Sequence, residues 1–161
     1  MKQEMASQGA KLNGWIKIDH FDQKGQLIET VETPNALTNL GFREVAGLFC
    51  SDQAANWTAF DYIAVGTGTT TATATDTQLV TEVTNVGLTR AAGTGTLVQV
   101  NVASDTCQIL KSFSVSGSSA VTESGVFNAA AAGTMLCRQT FSAINVANLD
   151  TLQITWKVTV A

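Results

Sequence analysis

The side chains best suited to chemistry are few in this sequence, and their spacing does not assemble them. A nucleophile needs a base and a group that orients the base, and the chain has one histidine, His20, between Asp19 and Asp22 on a charged alternating run. One imidazole beside two solvated carboxylates is not a triad, and its place next to Lys17 and Asp19 suits an exposed or edge position. Asp61, Asp76, Glu82 and Glu123 are candidates for the paired carboxylates of glycoside hydrolysis, but no spacing among them favours it. Gly66-Thr67-Gly68 has the glycines of a phosphate cradle without the following Lys-Ser/Thr or a helical pattern, and reads as a strand-ending turn. Asp105, Glu123 and Asp150 are too scattered for a calcium site. Cys50, Cys107 and Cys137, odd in number and far apart, read as buried free thiols rather than a disulfide framework or a zinc site. Trp15, Trp57, Trp156 and Tyr62 could stack on a sugar, yet Trp156 and Tyr62 lie in regular apolar runs that belong in a core, and Trp57 alone sits in a polar stretch. The chain is therefore read as a non-enzyme with no catalytic residue, no cofactor and no metal.

The elements that carry these residues are mostly strands. Thr151 to Val160 alternates apolar and polar side chains without an error, the pattern of a half-buried strand. Asn13 to Phe21 and Gln26 to Thr33 form a hairpin around Asp22-Gln23-Lys24-Gly25, where Asp can bond the backbone and Gly can take a positive φ. Thr33-Pro34 offers a cap and a first-turn proline, so the spacing of Leu37, Leu40, Val45, Leu48 and Phe49 predicts a helix over about 35–50. Phe60 to Val65 reads as a buried strand. Further strands are predicted at 78–84, 86–91, 96–103, 107–115, 121–127, 135–141 and 152–160. About ten strands predict an all-β fold, an antiparallel β-sandwich with jelly-roll or Greek-key connections and one short helix. Residues 1–12 lack periodicity and read as a flexible arm, with 13–161 as one domain.

Composition narrows the partners. The 161 residues include 23 threonines, only 14% are charged, and the formal charge is −4. From Thr94 onward the charged residues are Asp105, Lys111, Glu123, Arg138, Asp150 and Lys157 alone, which leaves a surface either coated by Thr and Ser or covered by neighbouring copies. No cluster of Lys or Arg faces a nucleic-acid backbone. No run approaches the length of a membrane span, and the first ten residues lack the apolar stretch of a signal peptide. The Thr/Ala segment from Thr69 to Thr77 is of low complexity and longer than an ordinary connection, so it is expected to lie across a surface or a subunit junction.

The run Tyr62-Ile63-Ala64-Val65-Gly66-Thr67-Gly68-Thr69-Thr70, with Asp76-Thr77-Gln78-Leu79 and Arg90, resembles a recurrent pattern in small structural proteins of tailed bacteriophages. Glu123-Ser124-Gly125-Val126-Phe127-Asn128, Gly133 to Arg138, Thr140 to Val146 and Asp150 to Trp156 are similar to the second half of that pattern, and the hairpin from Ile18 to Glu29 to its N-terminal part. The resemblance implies a virion component, assembled in the host bacterial cytoplasm. The expected role is a capsid decoration (cement) protein that binds the major capsid protein on the outer head surface. Copies of itself are the other expected partner, a homotrimer favoured over a dimer. The alternative is a receptor- or glycan-binding tip of a tail or head fibre. The expected contacts are Lys2, Gln3 and Lys11 of the arm, Trp57, and Thr69, Thr70, Thr71 and Thr73 of the loop.

Overall fold

A computed structural model describes residues 11–50 and 58–160. Lys2, Gln3, Trp57 and the thiol of Cys50 lie outside it. In chain order the elements are β1 (Leu12–Phe21), β2 (Leu27–Pro34), β3 (Ala36–Leu37), α1 (Asn39–Cys50), β4 (Tyr62–Gly66), β5 (Ala91–Ala92), β6 (Thr94–Val98), β7 (Thr106–Ser114), β8 (Ser119–Phe127), β9 (Met135–Val146) and β10 (Thr151–Val160). They form two antiparallel five-stranded sheets, β2-β1-β10-β7-β6 (sheet A) and β3-β9-β8-β4-β5 (sheet B). The all-β sandwich with one short helix is what the alternation predicts.

The core lies between the sheets. Ile16, Ile18, Ile109, Leu152, Ile154 and Trp156 from sheet A meet Ile63, Val65, Val126 and Ile144 from sheet B. Burying an aliphatic side chain of this size contributes about 1.5–3 kcal/mol. One polar link crosses the layer: Trp156 Nε1 donates to Ser124 Oγ at 3.2 Å, and Ser124 Oγ donates to the Ala64 carbonyl at 2.9 Å. A second, smaller cluster of Ala64, Leu79, Phe127 and Met135 forms where alternate residues of β4 point away from the main core.

The first hairpin and the last strand follow the sequence pattern closely. β10 pairs with β1 along its whole length, Leu12 opposite Val160 and Phe21 opposite Thr151, and Gly25 takes a φ of 76° in the turn. The polar face of β10 is half-exposed at Gln153, Thr155 and Lys157, whereas Thr159 is buried, its hydroxyl 2.8 Å from that of Thr106.

Three expectations are corrected. The helix does not begin at Thr33-Pro34. Pro34 closes β2 opposite Trp15, and Ala36 and Leu37 then pair with Arg138 and Cys137 of β9. Thr38 is the cap, its Oγ1 accepting the Gly41 N–H at 2.9 Å. Gly41 lets α1 come this close, because a Cβ there would stand 2.4 Å from the Leu136 carbonyl oxygen. The segments 78–84 and 86–91 are not strands, apart from one bridge between Gly66 and Glu82 and the two residues of β5. Their apolar residues tack a wrapping segment onto the sandwich: Leu79 enters the smaller cluster, Val83 and Leu88 the main core. Val86 and Gly87, at φ 47° and 77°, turn the chain where a strand was expected. Of the thiols expected to be buried, Cys137 is buried and Cys107 is exposed. Cys107 lies near the start of β7, opposite Leu97 of the exposed strand β6.

Candidate functional site

The Thr/Ala loop between β4 and the wrapping segment is held by three charged side chains that the chain separates widely. Glu123 on β8 and Arg138 on β9 are both fully buried, because Gly125 pairs with Arg138 and Glu123 with Thr140 on these adjacent strands. Arg138 Nε donates to Glu123 Oε2 at 2.8 Å. Its two terminal nitrogens reach Asp76 Oδ2 at 2.7 Å and the Thr70 carbonyl at 2.9 Å. Glu123 accepts in addition the backbone N–H groups of Gly68, Thr81 and Val80 at 3.0, 2.8 and 3.1 Å. Gly68 at the end of Gly66-Thr67-Gly68 thus joins Val80 and Thr81 in binding an anion the protein supplies itself. A Cβ on either glycine would stand 2.5 Å from Glu123 Oε1.

The loop closes on itself at the next turn. Asp76 accepts the Thr73 N–H and hydroxyl, each at 2.9 Å, and the Asn39 N–H at the start of α1 donates to the Ala74 carbonyl at 2.7 Å. Partial burial pushes the Asp76 carboxyl up, but the bonds from Thr73 and Arg138 outweigh it and hold the group below its ordinary value. With the backbone fixed in this way, the side chains of Thr69, Thr70, Thr71 and Thr73 are exposed. Lys11 is exposed as well, at the start of β1, and nothing brings it into this group. The loop is therefore a hydroxyl- and methyl-bearing surface held from beneath by paired charges.

The remaining ionisable clusters are also engaged. Arg90 forms a two-pronged pair with Glu82, at 2.9 and 2.6 Å, lies 3.6 Å over the Phe127 ring, and donates to the Ala132 carbonyl at 2.8 Å. His20, expected at an exposed edge, is buried. Its Nε2 is 2.9 Å from Asp150 Oδ2 and its Nδ1 is 3.4 Å from Glu29 Oε1, and Asp150 accepts the Ala147 N–H at 2.8 Å. The His20 bond, followed by that of Ala147, holds the Asp150 carboxyl below its ordinary value. Asp150 lies in the turn before β10, and folding brings it to the far end of β1, a pairing that wide sequence separation hides. Among the described residues no three His, Cys, Asp or Glu side chains are grouped to hold a metal ion, and no helix is long and apolar enough to cross a membrane.

At one end of the sandwich lies an apolar hollow of about 600 Å³. Leu12, Val45, Phe60, Leu97, Val158 and Val160 line it, and Asp61 stands at its rim with a buried Oδ1 that has no hydrogen-bond partner. Ser104, Asp105 and Cys107 also line it. No family model, no curated protein and no solved structure matches this chain.

Sequence reasoning placed the threonines on the surface and missed Arg138, Glu123 and Arg90 as the groups that hold the loops. The available signal was one charge inside each of two apolar runs, Glu123 within Val121–Phe127 and Arg138 within Met135–Phe141. A charge in such a run is retained only when it is paired.

Proposed function

We propose that this chain is a bacteriophage virion structural protein, a capsid decoration protein that binds the outer surface of the head as a homo-oligomer and stabilises capsomer junctions. The observation that carries the reading is the Thr69–Thr73 surface, uncharged and fixed from below by the buried Arg138–Glu123–Asp76 cluster. A contact surface that is already ordered loses little conformational entropy on docking. One without charges leaves no unpaired ion when water is expelled from the interface. The phage-like segments noted in the sequence support the same assignment, and occupancy of many equivalent shell sites would stabilise the head by mass action without chemistry.

Purified particles test it. Quantitative mass spectrometry against the major capsid protein should give hundreds of copies per particle, on the order set by shell symmetry. A variant carrying T69D, T70D and T71D should lose particle binding while its melting temperature stays within about 2 °C of the parent. A few copies per particle, with binding to a glycan array, would transfer the protein to a fibre tip. Unchanged occupancy in the triple variant would remove the loop from the interface.

A further inference from the structure

Among the described residues sheet A ends in two edge strands, and they are built differently. Edge strand β2 carries Glu29 and Glu32 and closes on Pro34, the charges and proline that keep an edge from pairing with another chain. Edge strand β6, Thr94-Gly95-Thr96-Leu97-Val98, has neither. Among the described residues it pairs with β7 on one side only, which leaves the outward backbone groups of the strand available to a further strand. No residue from Thr94 to Ser104 is charged, and Leu97, Val100 and Val102 are 69%, 54% and 64% exposed.

We propose that β6 is a self-association edge, on which a second copy of this chain pairs antiparallel about a two-fold axis at Thr96, joining the two A sheets into one. The occupant is a second copy because the strand is complementary to itself. Pairing centred on Thr96 sets it opposite the partner's Thr96, a favourable cross-strand pair, and Thr94 opposite the partner's Val98, both β-branched residues suited to a strand. Gly95 then faces the partner's Leu97. A Cβ at Gly95 would meet nothing within 4 Å, so the open space there receives the larger side chain, and the operation repeats on the other side of the axis. Gly95 and Leu97 both line the hollow at the end of the sandwich, so each Leu97 moves from solvent onto apolar surface. A second copy adding to β2 would instead meet a charged strand that ends in proline, the features that keep an edge from pairing. The β6 edge does not involve the Thr69–Thr73 loop, so this inference stands or falls apart from the capsid assignment. It makes a dimer, not a trimer, the unit of self-assembly.

Sedimentation equilibrium of the full chain tests it. The expected result is a monomer–dimer equilibrium with a dissociation constant below about 100 µM. Thr96→Lys, which opposes two ammonium groups across the axis, and Gly95→Val, which fills the space for Leu97, should each weaken the dimer at least about tenfold. The exposed control Ile28→Lys on β2 should leave it unchanged, with near-UV circular dichroism of all three variants matching the parent. A chain that is monomeric at about 100 µM, a trimer, or a dimer indifferent to both β6 variants would overturn the proposal.

Discussion

At the scale of single residues, the energetics of this protein turn on charges placed where water cannot reach them. A buried ion pair gains little over an apolar pair of the same shape, but removing one partner strands the other. Glu123→Ala would leave Arg138 without its main acceptor and three backbone N–H groups without any, so a loss of about 3–5 kcal/mol is expected in urea unfolding. Glu123→Gln, which keeps an oxygen for those amides, should cost less. Acid has a predictable sign. The Asp150 and Asp76 carboxyls sit below their ordinary value of 3.8, and Asp105 is lowered further by N–H bonds from Val102, Val100 and Asn101 against partial desolvation. Groups depressed on folding stabilise above the unfolded value, and that stability disappears as pH falls through the folded one. Chemical unfolding should therefore report constant stability from these groups at neutral pH and a decline below about pH 4, with a shallower decline in Asp150→Asn. The partners of these residues were hidden because each is contributed by a different strand, and register rather than spacing brings them together.

At the scale of elements, legibility followed from how much each segment carries its own instructions. The hairpin of β1 and β2 has alternation on both arms and an Asp-x-x-Gly turn whose Asp22 Oδ1 accepts the N–H of Lys24 and Gln26 at 2.8 and 2.9 Å. The start of α1 was misplaced because Thr33-Pro34 and Thr38 are both plausible caps, and the short pairing of β3 with β9 decides between them. Thr38 also donates to the Met135 carbonyl at 2.5 Å. Thr38→Ala thus removes a cap and a buried tertiary bond, and thermal unfolding should show a loss of about 1–2 kcal/mol, whereas Thr33→Ala should fall within about 0.5 kcal/mol of the parent. The stretch 78–91 misled for a different reason. Its apolar and β-branched residues read as strand, but Leu79, Val83 and Leu88 anchor a segment that wraps the sandwich, and an irregular chain needs apolar anchors as much as a strand does.

At the scale of the whole molecule, the sheets adhere through the layer that contains Trp156, fully buried on the central strand β10. Trp156→Phe deletes volume and the Nε1 donor while Ser124 keeps its bond to Ala64, and guanidinium unfolding should show a loss of about 2–3 kcal/mol with an unchanged slope. The position of β10 has a temporal consequence as well. It is the last of the described strands, yet it stands between β1 and β7 in sheet A. During synthesis β1 emerges long before the neighbour it needs, and until β10 leaves the ribosome both β1 and β7 present bare inner edges. Sheet A therefore closes only after translation has passed Val160, as a slow event dominated by distant contacts. The nascent chain passes through a stage at which an encounter with another chain's edge competes with its own completion.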